Sequence, residues 1–121
     1  DSSLPVVDHC CIAGDFNMIE DPKDRSDEGG VLVHGLELSA WEKVTISRRL
    51  LDVWKLPSFE KLHNSLTFSR SDKRLNGANL SRIDRIYVDG LFADIGGSVA
   101  IYTGTTFSDH APIVLMMGWI V

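Results

Sequence analysis

The chain has 121 residues, is 44% apolar and carries a formal net charge of −5, which suits one globular domain and excludes a disordered chain. Its apolar runs, such as Ile113 to Met117, fall far short of the roughly 20 residues a membrane-spanning helix needs, and the first residues lack the basic-then-apolar order of a secretory signal. Cys10 and Cys11 are adjacent, where ordinary disulfide geometry cannot join them. With no second pair for a scaffold or a zinc site, they read as buried thiols of a reducing compartment.

In chain order, Leu4 to Ala13 is rich in Val, Ile and Cys and reads as a mostly buried strand, with Asp8 and His9 moving its start towards Cys10. Gly14 is expected to end that strand, leaving Asp15 and Asn17 extended on one side and Phe16 turned into the core. Glu20 to Gly30 is polar and reads as a surface loop, and its acidic residues lack the alternating spacing of a calcium loop. Leu36, Ala40, Trp41, Val44 and Leu51, with Ile46 and Leu50 alongside, predict a helix from Leu36 to Leu51. Asp52 to Trp54 follows as a short extended segment stopped by Pro57, and Trp41 and Trp54 are expected core aromatics.

Leu66 to Phe68 reads as a strand, and Asn76-Gly77 marks a tight turn between antiparallel strands. Arg82 to Val88 is the next strand, with Arg82, Asp84, Ile86 and Val88 on one face and Ile83, Arg85 and Tyr87 on the other. An acid inside a strand needs a partner, so Asp84 calls for a cation, a metal or a histidine. Gly96-Gly97 leads into a strand at Ser98 to Tyr102, and Ile113 to Met117 closes the sheet. The segments add up to an α+β chain, one main helix on a mixed, mainly antiparallel sheet.

The overall charge argues against a nucleic-acid partner, but its distribution is uneven. Arg70, Lys73, Arg74, Arg82 and Arg85 cluster between residues 69 and 85, where only Asp72 and Asp84 oppose them. Such a cluster is either a solvated loop or a contact surface for phosphate or nucleic acid.

Three short motifs carry chemistry: Gly14-Asp15-Phe16-Asn17, Ser81-Arg82-Ile83-Asp84 and Ser108-Asp109-His110-Ala111-Pro112. Singly each has an ordinary explanation: a strand-ending turn, an acid paired with Arg82 or Arg85, a cap and turn ahead of Pro112. In this order and in strand contexts they resemble the endonuclease/exonuclease/phosphatase superfamily, the deoxyribonuclease I-like fold. The longer texture, GDFNMIEDPKDRS, LLDVWK, LTFSR and SRIDRIYV, is similar to the apurinic-type endonuclease domain of non-LTR retrotransposons.

The resemblance implies the C-terminal half of a four-layer α/β/β/α sandwich over residues 1–121, with the N-terminal half-domain missing. The family's early asparagine and metal-binding glutamate have no match ahead of Gly14, where none of the residues is a glutamate. A fragment that is inactive and prone to associate on its own is therefore expected, possessing an apolar sheet face without its usual cover.

The resemblance also implies roles: Asp109 as the metal carboxylate for Mg²⁺ or Mn²⁺, His110 as phosphate donor or general acid/base, Asp84 as the partner that fixes the imidazole tautomer and favours its protonated form, Asp15 as the carboxylate assisting water or leaving group, and Asn17 as a neutral phosphate donor. DNA is the implied substrate, a downstream reverse transcriptase the implied neighbour in a parent protein, and an intracellular, nuclear setting follows. Two alternatives stay open: a same-fold enzyme acting on another phosphate ester such as a phosphoinositide, a sphingolipid head group or an RNA tail, and a decayed, non-catalytic phosphate-binding module. His9, His34 and His63 have no matched partners and read as surface or structural residues.

Overall fold

The computed structural model describes residues 9–25, 35–62, 66–72, 79–102 and 110–118. The expected Asn76-Gly77 turn, His34, His63, Lys73, Arg74, Ser108 and Asp109 lie outside these described residues. The fold is α+β, with one main helix and small antiparallel and mixed sheets.

Strand β1 (Cys11–Asp15), helix α1 (Gly35–Arg48), β2 (Leu51–Asp52) and β3 (Phe59–Lys61) come first, followed by β4 (Arg70–Asp72), β5 (Asn79–Ser81) and β6 (Asp84–Val88). A short helix α2 (Gly90–Ile95), β7 (Gly97–Ile101) and β8 (Ile113–Met117) complete the order. One sheet runs β1-β6-β2, all antiparallel, and a second runs β3-β7-β8 with β3 parallel to β7. The β4-β5 pair is antiparallel.

The alternation of β6 decides how these pieces pack. Ile86 and Val88 share a face with Asp84, and they join Val53, Phe59, Ala93 and Val99 in the apolar core that links the two sheets. On the opposite face Tyr87 meets Phe16 and Trp41, with ring centroids 5.3 and 4.9 Å away, so α1 covers that side. Phe16 is thus the inward-turned aromatic that the sequence predicts. Val114 and Met116 stay exposed on the outer face of β8.

Helix α1 stops at Arg48 rather than Leu51 because a Schellman motif closes it. Arg49 adopts φ 54°, its N–H donates to Ile46 O, and the N–H of buried Leu50 donates to Thr45 O at 2.8 Å. The expected apolar stripe needs correcting as well. Leu36 and Ile46 are 90% and 77% exposed and Ala40 is exposed. The half-buried side is Leu38, Trp41, Val44, Thr45 and Arg48, the spacing of one helical face.

Other boundaries differ for local reasons. β1 runs through Gly14 to Asp15, because Gly14 pairs with Arg85 and so lies within the ladder. Val53–Lys55 is a 3-10 turn rather than extended, capped by the Asp52 carboxylate, which accepts the Trp54 N–H at 3.0 Å. Leu66 to Phe68 forms no strand; pairing begins at Arg70. β3, β4, β5 and α2 were not anticipated. Asp89 caps α2 by accepting the Phe92 N–H and also accepts the Cys10 N–H at 2.7 Å. His9 lies 3.4 Å from the same carboxylate, a structural position.

Gly96-Gly97 is required where α2 turns into β7. The two residues have φ of 69° and 154°, and a Cβ at either would overlap a backbone oxygen, of Ser58 and Met116 respectively. The cysteines are not buried thiols: Cys11 is exposed and Cys10 partly so, because β1 has only β6 as a strand neighbour among the described residues.

Candidate functional site

The three motifs, far apart in sequence, reach one cleft. Asp15 ends β1 and Asp84 begins β6, and the two are direct register partners across the ladder. Side chains opposite one another share a face, and like charges there repel. A hydrogen-bond donor between them relieves that repulsion, and the His110 ring occupies that position.

The His110 Nδ1 lies 2.7 Å from Asp84 Oδ2, and its Nε2 lies 3.8 Å from Asp15 Oδ2. Asp84 is thus partnered by a histidine, one of the three partners its place in a strand called for. With Nδ1–H donating to Asp84, Nε2 points its remaining proton or lone pair towards Asp15. All three side chains are partly open: relative exposures of 35%, 19% and 33% for Asp15, Asp84 and His110 leave room for a ligand. Donor atoms of the three lie within 4.8 Å of one another. The cleft, about 440 Å³, is walled by Ala13, Gly14, Ile86, Ala111, Pro112 and Ile113.

His110 is placed by its backbone as well as its ring. It bridges to Arg70 at the start of β4, and the following Ala111 N–H donates to Ser69 O at 2.6 Å. Ser69 Oγ in turn accepts the Asp84 N–H at 3.1 Å.

Asn17 does not extend alongside Asp15. It takes a left-handed φ of 55° and its N–H turns back to Asp15 Oδ1 at 2.8 Å, which fixes that carboxylate while the Asn17 side chain stays exposed.

The basic cluster is divided. Arg82 is 3% exposed, with Nε 3.0 Å from Asp24 Oδ1 and Nη2 2.7 Å from Asp52 Oδ2. Burial alone would lower its pKa, but the Asp52 and Asp24 carboxylates outweigh that and raise it. Arg85 is 1% exposed, donates to Met18 O and Arg82 O, and lies 4.9 Å from the Phe16 ring centroid. Burial lowers its pKa against the opposing pull of Glu20.

The expectation that Arg82 and Arg85 meet phosphate or nucleic acid is therefore not met. The Arg82 guanidinium is held between two carboxylates, whereas Arg85 makes its hydrogen bonds through Nη1 to backbone carbonyls and leaves Nε and Nη2 buried without a hydrogen-bond partner among the described residues. Arg70 is half-buried and bridges through its backbone to His110. Asp24, expected in a solvated loop, is 7% exposed through its pairing with Arg82.

Sequence reasoning missed Asp24, Asp52 and Ser69. Asp52 carried a readable signal, an acid two residues ahead of Trp54 where a cap belongs; Asp24 and Ser69 lie in the stretches GDFNMIEDPKDRS and LTFSR that carry the resemblance, but nothing local in them marks a buried tie. Comparisons with protein-family models, with curated proteins and with solved structures give no match for this chain.

Proposed function

We propose that this chain forms the histidine-and-carboxylate side of a divalent-metal-dependent phosphodiesterase, the C-terminal half of a deoxyribonuclease I-like sandwich. Its substrate is DNA, nicked as by the endonuclease of a retrotransposon-type protein. One observation carries the reading: Asp15, Asp84 and His110, each from a different motif, converge within 4.8 Å at the mouth of one cleft.

The geometry supports the roles that the resemblance implies. Asp84 holds the imidazole in one tautomer and orientation, accepting from Nδ1–H so that Nε2 is the atom offered to substrate. From Nε2, His110 donates to a phosphate oxygen when protonated and takes a proton when neutral. Asp15, braced by the Asn17 N–H, presents Oδ2 to the same space, where it orients a water or assists a leaving oxygen.

The donor set fits a divalent ion. Mg²⁺ and Mn²⁺ take carboxylate and water oxygens completed by substrate phosphate; Asp109 is the metal carboxylate that the resemblance implies, and the Asp15 carboxylate of the cluster would be the second. Such an ion supplies charge neutralisation on the non-bridging phosphate oxygens. The family's glutamate has no counterpart in the motifs present, so strong activity is proposed for this half joined to one that carries it.

DNA is supported by the retrotransposon-like texture, and not by the buried Arg82 and Arg85. A substrate panel tests the choice: supercoiled plasmid, a soluble inositol phosphate and an aryl phosphate monoester, each with Mg²⁺ or Mn²⁺ and with chelator. Preferential, metal-dependent cleavage of the plasmid is expected. Preferential release of phosphate from either monoester would replace DNA with another ester.

A further inference from the structure

We propose that Ser69 is a positioning residue for the Asp84–His110 pair, an inference that rests on the phosphodiesterase reading for its catalytic meaning but not for its geometry. Ser69 is 1% exposed and lies outside all three motifs. Its three hydrogen-bonding groups reach three other segments. Its N–H donates to Ser81 O at 3.0 Å, its carbonyl accepts the Ala111 N–H at 2.6 Å, and its Oγ accepts the Asp84 N–H at 3.1 Å.

Ser69 therefore grips the residue before Arg82, the residue after His110 and Asp84 itself. A general acid/base works only when its donor geometry is held to within a fraction of an ångström. The Nδ1 to Oδ2 contact of 2.7 Å joins two segments 26 residues apart, and β6 contributes only the Asp84 side of it. His110 stands ahead of β8, not within it. The Ser69 bonds supply a direct tie between the two sides. A burial-driven packing role would need an apolar side chain here; a buried hydroxyl is kept only where its bonds are used.

Removing the hydroxyl leaves both backbone bonds of Ser69 intact and orphans the Asp84 amide. The ring nitrogens of His110 report the result. In Ser69→Ala, ¹⁵N shifts recorded at one fixed pH where the imidazole is neutral should move away from the Nδ1–H tautomer. Exchange of the Asp84 amide should quicken by about tenfold or more, the scale of one lost hydrogen bond. Amides of β7 and β8 should be unchanged. Ser69→Cys, which keeps the volume and a weaker acceptor, should fall between wild type and Ala, and it carries the test if the Ala variant does not fold. Asp84→Asn gives the reference for a ring without its carboxylate.

Wild-type ring shifts in both Ser69 variants would overturn the proposal. None of these readouts needs turnover, so a chain that cleaves no phosphodiester would sink the functional reading and leave this one to be judged on the ring nitrogens. With turnover in hand, Ser69→Ala should lower kcat with KM little changed.

Discussion

Replacing Arg82 with Met separates two accounts of the same residue, phosphate contact and buried tie. The guanidinium is 3% exposed, and the carboxylates it pairs with are 9% exposed for Asp24 and 5% for Asp52. Two close charge-assisted hydrogen bonds, at 3.0 and 2.7 Å, are worth about 1.5–3 kcal/mol each, or about 3–6 kcal/mol together. Removing one member of a buried ion pair costs about 3–5 kcal/mol by a separate route. The ranges overlap near 4 kcal/mol, and methionine leaves both carboxylates desolvated with no cation between them.

A domain of this kind has about 5–15 kcal/mol in all, so the loss is a large share. Urea unfolding followed by tryptophan fluorescence is a suitable assay, because Trp54 hangs from Asp52 through its N–H. Lys43→Met, an exposed position on α1, is the control and should change stability by less than about 0.5 kcal/mol. A loss below about 1 kcal/mol in Arg82→Met is what a surface ion pair gives. That result would refute the buried tie and return Arg82 to the phosphate-contact reading.

Two further outcomes follow from the packing. Burial pushes the Glu20 carboxyl above its ordinary 4.5, with Arg85, Lys55 and Arg82 opposing and Asp52 adding to it. The folded chain then holds a proton that the unfolded chain has released, so this contribution is fully present below 4.5 and is lost as pH rises through the raised value; Glu20→Gln should flatten that part of a urea-midpoint profile, and an unchanged slope would contradict it. Gly97→Ala should destabilise by more than the roughly 1–3 kcal/mol of backbone strain alone, because the new Cβ meets Met116 O inside the β7–β8 ladder, and a thermal melt like that of wild type would show that β7 and β8 pair otherwise.

What the sequence made legible is tied to periodicity and punctuation. β8 was readable as a bounded apolar run and α1 as a helix of nearly the right length, whereas β4 and β5 fall in a stretch too polar for strand periodicity to mark. Periodicity did not reveal which residues of α1 face inward, since Leu36 and Ile46 fit an apolar pattern yet project to solvent. α2 is six residues long, too short for a helical period, and only the cap at Asp89 could have announced it. β3 pairs in parallel with β7, a partner far away in sequence.

The site divides the same way. Asp15, Asp84 and His110 were found because a carboxylate in a strand demands a partner and the motifs supplied one. Arg82 and Arg85 were misassigned because a count of charges does not distinguish a guanidinium held by Asp52 from one facing solvent. Ser69 stood in the quoted LTFSR stretch without a role, because its importance lies in bonds to residues 81, 84 and 111 that no local pattern shows.

The central claim is that His110, held by Asp84 beside Asp15, works on a phosphodiester. Its most direct measurement is nicking of supercoiled plasmid with Mg²⁺ or Mn²⁺, by this chain alone and joined to a family-like half carrying the glutamate, with His110→Ala and a chelator control beside each. The account predicts metal-dependent nicking in the joined protein that falls by at least about 10²-fold in His110→Ala. Silence in both forms, or nicking that His110→Ala leaves unchanged, would contradict it.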